Sequence, residues 1–216
     1  MVSATTPRPR QPFTAPEGFR VLPGWFSPDA QRALIDAVGA IEAQAPFYQP
    51  CMPRTGAPLS VTMTNCGPLG WVTDKDRGYR YEPAHPVTGR PWPAMPEALL
   101  ALWEAVSGWP QPPQACLINF YRETSRMGLH VDADESARDA PVVSVSLGDP
   151  ARFRIGGPQR GDPSGSLKLG SGDVVVLSGP ARRCFHGVDR IYPGASRLLP
   201  DAWRPGRINL TLRRVN

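Results

Sequence analysis

The sequence predicts a mainly β fold with flanking helices (α+β), a sandwich or jelly roll formed by one domain. Three observations predict it. A chain of 216 residues is long enough to close one substantial core and short for two. Its 27 prolines and 21 glycines divide it into short elements. From Ala115 onward, β-type runs follow one another with almost no helical periodicity between them.

Residues 1–18 carry Pro, Thr and Arg with little periodicity and read as a flexible lead-in, which leaves 19–216 as the domain. Ser27-Pro28-Asp29 supplies a helix N-cap with Pro at the first helical position, and Leu34, Ile35, Val38 and Ile41 follow at helical spacing up to Pro46. A second helix is expected from about Pro96 through Leu99, Leu102, Trp103 and Val106, with Gly108 as its stop. The aromatic- and Gly-rich stretch 59–92 between them reads as strands and loops. Strands are then expected at Ala115–Tyr121, Pro141–Gly148, Arg152–Ile155, Ser166–Leu169, Asp173–Leu177, Arg182–Val188 and Arg207–Val215.

The composition excludes several classes. Cysteines at 51, 66, 116 and 184 have no CxxC or finger spacing, which argues against a disulfide scaffold or a zinc finger. No run of about 18 apolar residues exists and Met1–Pro16 lacks a signal-type apolar segment, so a soluble, cytoplasmic protein with no membrane partner is expected. The formal charge is +5, and 22 of the 24 basic residues are Arg. Planar guanidiniums suit phosphate partners, although an Arg-rich composition can equally reflect genome base composition.

Of the three histidines, His130 and His186 carry the chemistry. His130-Val131-Asp132 sets an imidazole and a carboxylate at i and i+2, which lie on the same side of an extended backbone and can converge on one ion. His186, on a later strand, completes two His and one carboxylate, the set used by non-haem Fe(II) oxygenases because it leaves coordination positions open. Alone, the pattern is common by chance. The C-terminal run adds weight: Arg207, Asn209, Thr211 and Arg213 alternate with Ile208, Leu210 and Leu212, giving one apolar and one basic face. Were the basic face to line an interior cavity, its guanidiniums would need an anion to offset desolvation, and a small dicarboxylate fits. Asn119 and Tyr121 repeat the i, i+2 arrangement on another strand.

Asn119-x-Tyr121, His130-x-Asp132, His186 and Arg207-x-Asn209-x-Thr211-x-Arg213 together resemble the AlkB family of alkylation-repair dioxygenases, especially its bacterial members. The likeness extends to Met63-Thr64-Asn65-Cys66-Gly67, Leu69-Gly70-Trp71, Pro91-Trp92-Pro93-Ala94-Met95-Pro96 and Val142–Gly148, and covers residues 20 to 214. The resemblance implies a double-stranded β-helix, a cupin-like jelly roll, holding Fe(II) and 2-oxoglutarate, with O2 as cosubstrate. It implies that His130, Asp132 and His186 bind iron and that Asn119, Tyr121, Arg207, Asn209 and Arg213 hold 2-oxoglutarate. It makes residues 59–92 the nucleotide-recognition segment, and Trp71, Tyr79, Tyr81, Asp134 and Arg160 the substrate contacts. An extruded base needs an aromatic platform, and 1-methyladenine or 3-methylcytosine carries a positive charge that Trp71 and Asp134 suit.

The implied substrate is alkylated DNA, preferably single-stranded, with double-stranded DNA and RNA as alternatives, acted on by a monomer with no obligate protein partner. Three positions depart from familiar bacterial members: Leu177 stands where Trp is expected, Ala133 where a basic residue is, and Gly128 where Ser is. None is a metal or 2-oxoglutarate position. Two rival readings stay open: the same oxygenase acting on a protein or small molecule, and a non-catalytic nucleic-acid-binding barrel.

Overall fold

The computed structural model describes residues 13–216, so the first twelve residues of the expected lead-in lie outside the described part. The chain runs β1 (Phe19–Leu22), α1 (Pro28–Gln44), β2 (Thr62–Cys66), β3 (Gly70–Asp74), β4 (Gly78–Glu82), α2 (Glu97–Val106), β5 (Ala115–Tyr121), β6 (Met127–His130), β7 (Val142–Gly148), β8 (Ala151–Ile155), β9 (Gly165–Leu169), β10 (Val174–Leu177), β11 (His186–Ile191) and β12 (Arg207–Arg213). A six-stranded sheet has the order β1-β10-β7-β12-β5-β2, a four-stranded sheet the order β6-β11-β8-β9, and β3-β4 form a separate hairpin; the described pairs are antiparallel. This is the expected jelly roll.

Period-two alternation sorts the core into two layers. One face of the large sheet presents Ile118 and Phe120 of β5, Val143, Val145 and Leu147 of β7, and Ile208, Leu210 and Leu212 of β12. Against it pack Leu34, Ile35, Val38 and Ile41 of α1 and Leu99, Leu102, Trp103 and Val106 of α2. The other face, with Tyr121, Val142, Val175 and Leu177, packs on Phe153, Ile155, Leu169, Val188 and Ile191 of the small sheet. Each fully buried aliphatic side chain contributes on the order of 1.5–3 kcal/mol, so two such layers fix which face of every strand turns inward.

Helix α1 begins as its sequence requires: Ser27 Oγ accepts from Ala30 N at 3.3 Å, and Pro28 needs no partner for a missing N–H. Helix α2 ends just before Gly108, whose φ of +66° favours glycine.

Several details differ from the sequence expectation, among them the added strands β1 and β6. The expected strand Arg182–Val188 is a 3-10 turn over Gly179–Arg183 followed by β11 from His186, because Pro180 opens a tight turn and the Arg182 guanidinium is drawn inward to buried acceptors. The last strand stops at Arg213, since Val215 N donates to Gln114 Oε1 and Val215 O accepts from Ser136 and Ala137. Residues 13–18 pack onto the barrel: Glu17 O accepts from Ala181 N, and Phe13 packs on the small-sheet core beside Gly165. The stretch 59–92 forms strands and loops as expected, with β2 an edge strand of the large sheet and β3-β4 the hairpin.

Candidate active site

Between the two sheets, the inner face of the large sheet turns polar. Asn119, Ser146, Arg207, Asn209, Thr211 and Arg213 are all buried there, with Asn119 opposite Asn209 and Tyr121 opposite Arg207. Facing them, β6 and β11 pair His130 with His186, their rings 4.6 Å apart. Regular strand ends at His130, and Val131-Asp132 continues outside it. Asp132 still turns to the same side.

His130 Nε2 lies 3.6 Å from Asp132 Oδ1 and His186 Nε2 lies 3.7 Å from Asp132 Oδ2. Two ligands each about 2.1 Å from one ion can be at most about 4.2 Å apart, so both distances suit a shared ion. All three donor atoms lie within 4.8 Å of one another. The other ring nitrogens are occupied: His130 Nδ1 donates to Gly128 O at 2.8 Å and His186 Nδ1 to Cys184 O at 3.1 Å. That fixes the tautomer with a bare Nε2 facing the carboxylate, as a metal ligand requires. Partial burial, reinforced by the neighbouring His186, lowers the His130 pKa from its usual range, which favours the neutral ring. Burial opposes ionisation of Asp132, but the Arg213 charge and His186 outweigh it and hold the carboxyl well below the usual carboxylate range. The third histidine, His85, is structural: Nε2 meets Pro46 O at 2.8 Å and Nδ1 accepts from Val87 and Thr88.

The 2-oxoglutarate candidates divide by how far the fold already satisfies them. Arg207 is 1% exposed, donates from Nη2 to Ser146 Oγ at 2.9 Å and leaves Nε and Nη1 without partners. Its guanidinium lies over the Tyr121 ring at 5.2 Å, and burial lowers its pKa because no carboxylate faces it. A buried cation with two idle donors fits an anion, and Asn119 shares the same inner face of the sheet. Asn209 is already engaged, donating to Ser144 Oγ and Val145 O and accepting from Thr211 Oγ1. Arg213 is committed to protein carboxylates: Nη2 donates to Asp132 Oδ1 at 2.7 Å and Nη1 to Glu135 Oε1 at 2.9 Å, which leaves Nε idle.

The substrate candidates also divide. Trp71 Nε1 donates to Asp134 Oδ2 at 2.8 Å, and Tyr79, 48% exposed, stacks on Trp71 with centroids 5.4 Å apart and planes 22° off parallel. Arg160 is exposed in the β8–β9 loop, its guanidinium 4.9 Å from the centre of the Phe185 ring. Tyr81, expected as a substrate contact, instead donates its hydroxyl to Glu135 and accepts from Arg213 Nη1 at 3.0 Å, with burial raising its pKa.

Sequence reasoning missed Glu135 and Arg182, whose buried ion pair spans 2.6 Å, and Ser144 and Ser146, which hold Asn209 and Arg207. The serines left a signal, polar residues at every second position of an apolar strand. Arg182 left none. A cleft of about 900 Å³ bounded by Phe13, Glu17, Pro158, Pro180 and Arg183 includes none of the candidate residues. The active-site reading therefore rests on the polar, converging side chains between the sheets.

Comparison with known proteins agrees with this geometry. Residues 18–213 match the 2OG-Fe(II) oxygenase superfamily. The chain is 56% identical over 205 residues to an alpha-ketoglutarate-dependent dioxygenase AlkB homolog of Caulobacter vibrioides, covering 95% of this chain and 91% of that protein. It is 43% identical over 194 residues to the alpha-ketoglutarate-dependent dioxygenase AlkB of Escherichia coli, covering 88% and 87%. The solved structure of OsALKBH1 superposes with a TM-score of 0.76 at 31% identity, covering 95% of this chain and all of that one. With a converging His-Asp-His set beside an unpaired buried arginine, and this likeness over nearly its whole length, the chain belongs to the AlkB group of the 2OG-Fe(II) oxygenases.

Proposed function

We propose that the protein removes alkyl groups from N-alkylated nucleic-acid bases such as 1-methyladenine and 3-methylcytosine, with single-stranded DNA preferred. The observation that carries this reading is the Trp71–Asp134 pair. An indole platform, backed by Tyr79, is hydrogen-bonded to a carboxylate two residues along the chain from Asp132. A flat cationic ring gains from both: the indole face by cation–π attraction and stacking, the carboxylate by charge and by accepting from an exocyclic amine. An undamaged neutral base keeps the stacking and the amine hydrogen bond but loses both charge-dependent gains.

His130, Asp132 and His186 would hold Fe(II), and Arg207, with Asn119 and Tyr121 beside it, would take a carboxylate of 2-oxoglutarate. So held, Fe(II) and 2-oxoglutarate would supply, with O2, the oxidation of an N-methyl carbon to hydroxymethyl, with 2-oxoglutarate converted to succinate and CO2 and the hydroxymethyl group lost as formaldehyde. The chain's own part is positional. The two Nδ1–H bonds keep both imidazoles oriented with Nε2 toward Asp132, Arg213 holds one oxygen of Asp132, and the Trp71 platform sets the base. Arg160, exposed beside Phe185, suits a phosphate or base edge. A single-stranded or mispaired base is extruded at least cost, which is the basis of the strand preference.

The test is incubation of the purified protein with Fe(II), ascorbate, 2-oxoglutarate and an oligonucleotide bearing 1-methyladenine or 3-methylcytosine, reading base mass and succinate. Repair that vanishes in His130→Ala and Asp132→Ala supports the proposal. Succinate formed with no change in the base would refute it in favour of a protein or metabolite substrate.

A further inference from the structure

Behind Asp132 lies a buried cluster that neither metal binding nor base recognition uses directly. Glu135 is the centre of it: its side chain has no solvent exposure, Oε2 accepts from Arg182 Nη2 at 2.6 Å, and Oε1 accepts from Arg213 Nη1 at 2.9 Å and from the Tyr81 hydroxyl. Arg213 then reaches Asp132 Oδ1 at 2.7 Å, while Arg182 also donates to the backbone oxygens of Asp132 and Ala140. The four charged groups sum to zero. Tyr81 enters from β4 of the hairpin that carries Trp71 and Tyr79, directly opposite Trp71, and packs on the cluster of Ala115, Leu117 and Val215.

We infer that Glu135 is a positioning residue for Asp132, acting through Arg213, and that Tyr81 ties the β3-β4 hairpin into the same network, so that hairpin seating and grip on the metal form one coupled equilibrium. The inference rests on the assignment of Asp132 as a metal ligand. Physically, Glu135 fixes Arg213 by taking one of its terminal nitrogens, which leaves the other for a single oxygen of Asp132 and turns Oδ2 toward His186. Without Glu135, two buried guanidiniums share one carboxylate, and Arg213 is free to close on Asp132 with both nitrogens. The reciprocity of linkage adds a second consequence: whatever factor a seated hairpin adds to metal affinity, bound metal adds to hairpin seating.

The experiment uses the full chain and Co(II) as probe, with affinity read from its visible absorption and with hydrogen exchange followed over residues 70–82 with and without Co(II). Glu135→Gln is expected to weaken Co(II) binding about 10- to 100-fold, the range seen when groups that orient metal ligands are lost. Glu135→Asp should recover part of that loss. Tyr81→Phe, which deletes one hydroxyl and keeps the ring, should weaken Co(II) several-fold and abolish the extra hairpin protection that Co(II) confers on the wild type. A purely structural role would lower the melting temperature of Glu135→Gln while leaving Co(II) affinity of the folded protein within twofold, and that result overturns the inference. So does wild-type hairpin exchange that ignores Co(II). If Glu135→Gln does not fold, Tyr81→Phe decides the matter alone. No readout involves an oligonucleotide, so a protein that shows the coupling yet repairs no base sinks only the proposed substrate.

Discussion

Replacing Arg207 by Met should stabilise the ligand-free protein and abolish its hold on 2-oxoglutarate, two effects of opposite sign from one side chain. Arg207 is 1% exposed, and among the described residues its Nε and Nη1 have no partner while Nη2 is bonded to Ser146 Oγ. A buried cation without an anion carries a desolvation cost of several kcal/mol, and exchanging buried charges for apolar groups of similar volume is commonly neutral or stabilising by about 1–4 kcal/mol. At about 2–4 °C per kcal/mol for a chain of this size, the metal-free, ligand-free Arg207→Met protein should melt at the wild-type temperature or several degrees above it. The ligand side runs the other way. Two charge-assisted hydrogen bonds from the idle nitrogens to a carboxylate, each about 1.5–3 kcal/mol, amount to about 3–6 kcal/mol, or roughly a 10²- to 10⁴-fold loss of 2-oxoglutarate affinity. Anaerobic calorimetric titration with 2-oxoglutarate in the presence of Mn(II), together with melting curves with and without the ligand, measures both. A variant that melts well below wild type and still binds 2-oxoglutarate with unchanged affinity would refute the reasoning, because Arg207 would then be a structural cation satisfied by the fold.

Other expectations follow from the same geometry. His186→Ala and Asp132→Ala should bind no Co(II) and form no succinate, and chelator-treated wild type should regain activity with Fe(II), checked by metal analysis and succinate assay. Trp71→Ala should raise KM for a methylated oligonucleotide roughly 5- to 150-fold, corresponding to about 1–3 kcal/mol of lost stacking, with 2-oxoglutarate affinity unchanged. Gly187→Ala should weaken both fold and metal site: a Cβ there would sit 2.5 Å from Met127 O and 2.9 Å from Gly128 O, pushing β6 off β11 and His130 off His186. Urea unfolding should show a loss of about 1–3 kcal/mol, with weaker Co(II) binding alongside. Burial raises the Glu135 pKa, but Arg213 outweighs it and lowers the group below its ordinary 4.5. Its stabilising contribution is therefore complete above pH 4.5 and is lost as pH falls through the lower folded value, so wild-type stability should drop on acidification more steeply than that of Glu135→Gln in urea titrations.

Much of the fold could be read from alternation along the chain. Ala115–Tyr121 is a strand over those same residues, because seven residues with both faces buried leave little freedom of register. Helix α1 was legible from its Ser-Pro cap and apolar stripe. The short β1 was not foreseen, since Phe19–Leu22 forms a strand only by pairing with β10, more than 150 residues away. Arg182–Val188 misled because its β propensity is local, whereas the pull on the Arg182 guanidinium comes from Glu135, 47 residues earlier.

By itself the sequence determined the strand faces, the His130-x-Asp132 pair and the basic inner face of β12, because each is a short-range pattern of spacing two; the pairing of β11 with β6 is what brings His186 to that pair. Tertiary structure alone decided which cations are paired. Arg207 and Arg213 have the same parity on the same strand, yet one meets no carboxylate and the other meets two. It also decided the roles of Tyr79 and Tyr81, which share one face of β4: Tyr79, near the hairpin turn, stays exposed and stacks on Trp71, while Tyr81, at the barrel end, is covered and bonded to Glu135. The physical reason is that the fate of a polar side chain depends on what lies across from it, and that neighbour comes from a distant part of the chain.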